Sequence, residues 1–317
     1  MRALQDYLRM FARLRVNRVG GSISPHKPCL LLAVMDLVEA GAITDARIRY
    51  TPTLLEIFSE YFALVARTRD RNRPYYPFFH LKSEPFWKLV VEKGGDKELA
   101  LIAVPSHRAM EEIVTYAAID PDLFHYMQAL ASREALREEI IVRWFPDPHD
   151  RVALRNQVAL HSKSNAYERT LRGRFDEVPM VRDEPLPSTV RDRAFRNLVL
   201  EAYDYRCAAS GWRVIVPDGT IMVQAAHLIP HADSHDNDPR NGIALTPNFH
   251  WALDRHIIAP GPDMKWHVSK VLDERIADNR PLMKLEGKGV FLPRKRSLYP
   301  RREALEWRLE NLLGADG

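Results

Sequence analysis

Long hydrophobic runs are missing from this 317-residue chain. Nothing approaches the roughly eighteen consecutive apolar residues of a membrane span. The longest stretch, Cys29 to Met35, has the length of a core segment. Cysteine is scarce as well. Cys29 and Cys207 are the only two, and they fall in what read as separate domains, which argues against a disulfide framework. The opening MRALQDYLRMFARLRVNR has amphipathic helical spacing but lacks the continuous apolar segment and small-residue cleavage site of a secretory signal. The expected location is therefore the cytoplasm. No internal repeat is present, which excludes a solenoid or propeller.

What the chain does have is ordinary globular composition, with 46% hydrophobic and 28% charged residues, at a length comfortable for two domains. Net charge is only +4, but the basic residues cluster. Arg67, Arg69, Arg71 and Arg73 recur within one short stretch. Arg191, Arg193, Arg196 and Arg206 form a second group, and Arg294, Lys295, Arg296, Arg301 and Arg302 a third. That local density suits phosphate neutralisation, although any single cluster is equally compatible with a solvated face.

Apolar spacing predicts helices over 1–15, 28–40 (stopped by Gly41) and Pro52–Ala66, then over 107–116 and 121–145. Segments 87–91 and 99–104 read as strands joined by the turn EKGGDK. The expected architecture is α+β: a mixed N-terminal domain over 1–147 and a C-terminal domain over 190–317. Between them, 148–189 is rich in proline and charge with little apolar period, and reads as a linker carrying at most a short helix at 150–160.

The C-terminal half carries the chemistry. VIVPDGTIMVQAAH reads as a hairpin turning at Asp218–Gly219 and ending in His227. After a polar loop, Asn241–Gly242 enters the short strand Ile243–Leu245. Thr246 and Pro247 then suit the start of a helix that sets His250 and Asp254 four residues apart on one face. Phosphodiester hydrolysis needs a base to activate water and a Lewis acid for the phosphoryl oxygens and leaving alkoxide. Histidine supplies the base, a neutral partner can orient its second nitrogen, and a histidine with a carboxylate suits a divalent cation. The residues therefore assign His227 as general base, Asn241 as its orienting partner, and His250 with Asp254 as metal ligands.

The segment YDYRCAASG…QAAHLIPHADSHDNDPRNGIALTPNFHWALDRHI resembles the His–Asn–His (HNH) endonucleases with a ββα-metal finger, in the restriction-type branch with a Cys-x-x-Ser-Gly lead-in. The resemblance implies DNA cleavage with one divalent ion per site, Mg²⁺ or Mn²⁺ before Zn²⁺, Co²⁺ or Ni²⁺. It departs from many members at Ala226, where they place a ligating Asp or His. That leaves His231, Asp233, water or DNA phosphate to complete the shell.

In the N-terminal half, Ser24-Pro-His-Lys-Pro28 before CLLLAVMDLVEA, and Arg73-Pro-Tyr-Tyr-Pro-Phe-Phe-His-Leu81 before EPFWKL, together resemble the sulfur-binding domain found attached to such nucleases. The resemblance implies recognition of DNA in which sulfur replaces a non-bridging phosphate oxygen. It assigns His26, Lys27, Tyr76, Pro77 and His80 to the sulfur site, with His26 and Lys27 on the phosphate oxygens and Arg71 and Arg73 contacting DNA nearby. The plainer reading of the same segments is a helix start and core aromatics. The expectation is a modification-dependent endonuclease acting on phosphorothioated duplex DNA as a homodimer, with no membrane partner. The alternatives are an HNH nuclease reading a methylated base or plain sequence, and a DNA-binding protein whose nuclease is degenerate.

Overall fold

The computed structural model describes residues 2–19, 22–92, 95, 99, 105–173 and 186–314. The chain divides into two compact units, Met1–Asn165 with Val216–Thr220, and Ala166–Ile215 with Ile221–Gly317. Both mix helices with short antiparallel strands, so the α+β class stands.

In the first unit, α1 (Leu4–Ala12) precedes α2 (His26–Ala40), which Gly41 ends with φ of +73°. Every residue of α2 from Lys27 to Val38 is buried, as expected of a helix apolar on all sides at the centre of a core. Next come β1 (Arg47–Ile48), α3 (Pro52–Val65), α4 (Tyr75–His80) and β2 (Trp87–Val91). They are followed by α5 (His107–Glu112), β3 (Val114–Ile119), α6 (Pro121–Gln128) and α7 (Leu130–Trp144). Strand β3 is the middle of a three-stranded antiparallel sheet between β1 and β2, with Trp87 opposite Ile119 and a register shift at Val90/Val91. The helix expected through residue 116 thus stops at Glu112, because Val-Thr-Tyr-Ala-Ala-Ile finds two strand partners. The strand expected at 99–104 lies, apart from Leu99, outside the described residues.

The largest difference from expectation is at 148–189. Pro148–Gly173 is one continuous 26-residue helix, α8, whose residues through Asn165 belong to the first unit. It lacks a strong apolar period because polar groups anchor it. His161 bonds Asp36 through Nδ1 and Glu60 through Nε2 (2.8 Å), Ser162 bonds Glu39 (2.8 Å), and Asn165 donates to the Asp36 carbonyl (3.1 Å). Asp36 is also held by Tyr61 (2.7 Å) and Arg137 (2.5 Å), so its buried charge is fully partnered. Burial raises the Asp36 pKa, but the bonds from His161, Arg137 and Tyr61 outweigh it and hold the carboxyl below its ordinary range. Residues 174–185 of the expected linker lie outside the described residues.

The second unit begins its core with α9 (Ser188–Ala202), which packs Phe195 and Val199 against a small sheet. That sheet pairs β4 (Gln224–His227) with β5 (Gly242–Leu245) in antiparallel register, followed directly by α10 (Pro247–Asp254). A second pair, β6 (Ile258–Pro260) with β7 (Trp266–Val268), and the helix α11 (Arg302–Glu310) complete it. Cys29 and Cys207 are both free and buried, one in each unit.

Candidate functional site

Strand β4 alternates Ala226 inward, 1% exposed, with His227 on the opposite face. His227 therefore ends the strand on the open side of the finger, paired with Gly242. Its ring lies flat on Phe195, with centroids 3.8 Å apart and planes within 4°. A Cβ at position 242 would sit 2.4 Å from Val199 Cγ2 and 2.7 Å from Phe195 Cζ. Glycine after Asn241 is thus required by close approach: it makes room for the ring that supports the histidine.

His227 Nε2–H donates to Asn237 Oδ1 over 3.4 Å, which leaves Nδ1 with its lone pair. Burial pushes the imidazole down to about 4. The bond to Asn237 opposes that shift, neighbouring His231 and His250 reinforce it, and Asp254 opposes it weakly. The ring is consequently neutral at working pH and able to accept a proton. Nuclear magnetic resonance titration of the metal-free protein should give a midpoint near 4 for His227; a midpoint at the ordinary value of 6.5 would contradict the packing just described. Because the folded pKa lies below the unfolded one, this group's contribution to stability is complete above about 6.5. It is lost as pH falls through the window from 6.5 to 4.

Asn241 is fully buried but does not touch the His227 ring. Its Oδ1 accepts from Ile229 N (2.9 Å), and its Nδ2 donates to the carbonyls of Ile229 (3.0 Å) and Asp236 (3.2 Å). It pins the loop between β4 and β5, and the amide that meets the His227 ring is that of Asn237. Sequence reading missed Asn237 because loop position alone says nothing about where an amide points.

His250 and Asp254 meet as the i, i+4 spacing requires, with Nε2 and Oδ2 3.4 Å apart. Gln224 Oε1 accepts from His250 Nδ1–H at 2.9 Å, which fixes the tautomer and leaves Nε2 with its lone pair. Gln224 is a second residue that the motif alone did not single out. His231 is less available than expected, because Arg191 donates to its Nε2 at 2.7 Å. Ala226 is part of the core and supplies nothing. Among the described residues no group of three or more His, Cys, Asp or Glu side chains has metal-holding geometry. The donor types fit one divalent cation held at an open edge by His250 and Asp254, with solvent or phosphate oxygens filling the remaining positions.

The first unit contains a cavity of about 870 Å³. His26, Lys27, Arg71, Arg73, Tyr76, Pro77 and His80, the residues expected to read DNA, all line it, with Arg15, Arg67 and Arg69 among the others. Helix α4 puts Pro77 in its floor, Tyr76 against His80 (centroids 5.8 Å) and Arg73 over the Tyr76 ring (5.6 Å). The aromatic segment is core and wall at once: Phe78 and Phe79 are buried while His80 is exposed.

Two assigned contacts differ. His26 Nδ1 accepts from Ser24 Oγ–H (2.7 Å) and Nε2–H donates to the Arg71 carbonyl (2.8 Å), so both ring nitrogens are occupied and one of them holds the arginine loop. Burial lowers the His26 pKa, and the bond to the Arg71 carbonyl opposes this only in part. Lys27 is buried, and its Nζ donates to Glu84 (2.6 Å) and Ser83 (2.8 Å). A cation already paired inside the wall is a poor clamp for phosphate. The exposed Arg69, Arg71 and Arg73 have no ion pair among the described residues, whereas Arg67 pairs with Asp150 at 2.6 Å.

Residues 4–163, just over half of the chain, match the model of the "ScoMcrA-like, DNA sulfur-binding domain". The chain belongs to this family. Residues 207–259 of this family member match the "HNH endonuclease" model, a span that includes His227, Asn241, His250 and Asp254. Among solved structures, it is similar to one titled "Modification dependent TagI restriction endonuclease", at 20% identity and a TM-score of 0.27. The alignment covers 38% of this chain and 37% of that one, so the chain spans little more than a third of that neighbour's length. No curated protein matches.

Proposed function

We propose that this protein is a modification-dependent DNA endonuclease that recognises phosphorothioated duplex DNA through its first unit and hydrolyses a phosphodiester nearby with its second. The observation that carries the reading is the convergence of His26, Lys27, Arg71, Arg73, Tyr76, Pro77 and His80 on one cavity, in a chain that also carries the HNH domain. Sulfur is larger, more polarisable and less strongly hydrated than oxygen. An apolar floor of Pro77 and Tyr76 therefore accepts it at little cost, while an oxygen placed there loses hydration without gaining a partner. The free arginines of the rim supply the contacts to flanking phosphates and base edges.

For the cut, His227 Nδ1 takes the proton of the attacking water, with Phe195 and Asn237 holding the ring plane. His250 Nε2 and Asp254 Oδ2 would hold the divalent cation. When bound, that ion supplies Lewis-acid stabilisation of the phosphoryl oxygens and of the leaving alkoxide. One such site severs one strand, so a double-strand break takes two copies of the chain acting together. The place of action in this reading is the cytoplasm.

The reading is tested with matched duplexes that differ only in one non-bridging sulfur. The sulfur duplex should be bound and cut at least about tenfold better, a difference of roughly 1.4 kcal/mol. Equal cutting of both duplexes would leave an HNH nuclease that reads something other than sulfur.

A further inference from the structure

Arg308 lies on α11, outside the matched nuclease segment, and is 1% exposed. All of its hydrogen bonds go to main-chain carbonyls, and its guanidinium carbon lies 5.2 Å from the centre of the Trp307 ring. Nη2 donates to His227 O at 2.9 Å, Nε to Leu228 O at 2.7 Å and Nη1 to Leu253 O at 3.1 Å. No carboxylate forms an ion pair with it among the described residues. The first two carbonyls belong to the end of the strand that carries His227. The third belongs to the last turn of α10, one residue before Asp254 and three after His250.

Carbonyls at the end of a strand leave the ladder, and when buried they need a donor. Leu253 O already accepts from His256 N at 2.9 Å, so Arg308 reaches its second lone pair and ties the helix end to the strand end. A planar guanidinium with five N–H groups can serve three of them in a fixed geometry, whereas an ammonium on a flexible stem cannot. Removing a cation from water for neutral partners, three carbonyls and one ring, is costly, so the position calls for a reason beyond filling space.

We infer that Arg308 is a positioning residue for the nuclease, a clamp that fixes the distance and angle between the base on β4 and the metal-holding face of α10. This rests on the nuclease reading of His227, His250 and Asp254. Two-part sites of this kind tolerate little displacement, since a shift of about 1 Å between a base and the reacting centre can cost roughly 100-fold in rate.

The test compares wild type, Arg308→Lys and Arg308→Ala in the full chain, with DNA and Mn²⁺. Arg308→Lys keeps charge and bulk but loses the fork. It should cut about 100-fold more slowly in single turnover while its DNA dissociation constant stays within about twofold. Millimolar ethylguanidinium should restore part of the rate to Arg308→Ala and none to Arg308→Lys. Hydrogen exchange supplies a readout independent of cleavage. In Arg308→Lys, protection should fall in segments 224–231 and 247–256 and stay unchanged in the first unit. Arg308→Lys cutting within about threefold of wild type, or unchanged exchange in those two segments, would overturn the clamp. A wild-type protein that cuts no DNA would instead strike the nuclease reading alone, because the exchange experiment still reports on Arg308.

Discussion

Replacing His227 with alanine should slow DNA cleavage by roughly 10²- to 10⁴-fold while leaving DNA binding intact. The size follows from the role. A general base removes the proton of the attacking water as the phosphorus–oxygen bond forms, and water replaces it poorly near neutral pH. His227 enters that role as a neutral ring, since burial pushes it down to about 4, with Nδ1 left open because Nε2 is committed to Asn237. Binding should survive because the cavity expected to hold DNA belongs to the first unit. Single-turnover cleavage with Mn²⁺ or Mg²⁺, beside a gel-shift measurement, separates the two effects. If wild type cuts no faster than His227→Ala, the second unit is a degenerate nuclease and the chain is a DNA-binding protein. Asn237→Ala and Asn241→Ala make a useful contrast. The first loosens the ring, whereas the second removes three hydrogen bonds of a fully buried side chain and should unfold the loop.

The second large effect is expected at the rim of the cavity. Removing Arg71 and Arg73 together should weaken binding to the phosphorothioated duplex by about 100-fold at moderate salt, if each contributes one charge-assisted contact. The salt dependence discriminates this from a folding defect. Losing two phosphate contacts should make the slope of log K against log salt shallower by roughly 1.8. These two side chains are exposed and have no ion pair among the described residues, so their loss should cost little stability. An unchanged slope would mean that neither reaches a phosphate. Arg73 also lies over Tyr76, so Arg73→Ala alone should lower discrimination between sulfur and oxygen as well as affinity.

Much of the fold was legible because local signals agreed with the tertiary outcome. Gly41 ends α2 where a left-handed cap is needed, and Pro52 opens α3 beneath Thr51, whose side chain accepts from Leu54 N. Thr246–Pro247 likewise opens the helix that carries His250 and Asp254. Beyond the short helix expected at 150–160, helix α8 was illegible for the opposite reason. Its docking groups are His161, Ser162 and Asn165, and a helix held by buried polar bonds carries no strong apolar stripe. The first three residues of strand β3, Val114 to Tyr116, carry on the helical spacing of 107–112, and a lone segment does not reveal that two strands are waiting on either side of it.

By itself the sequence indicated the α+β class, the placing of His250 and Asp254 on one helix face and, through a family resemblance, the seven residues that gather around one cavity. The helix pair follows from spacing, since residue order along a helix decides which face a side chain shares. The tertiary structure alone decided which partner each group has. It turned Lys27 inward to Glu84 and gave the nitrogens of His26 to Ser24 and the Arg71 carbonyl. It set Asn237 rather than Asn241 on His227, and brought Arg308, eighty-one positions later in the chain, to the carbonyl of that histidine. The physical reason is that a hydrogen bond is satisfied by whatever donor or acceptor the packing brings within about 3 Å, and that proximity is not written in local order.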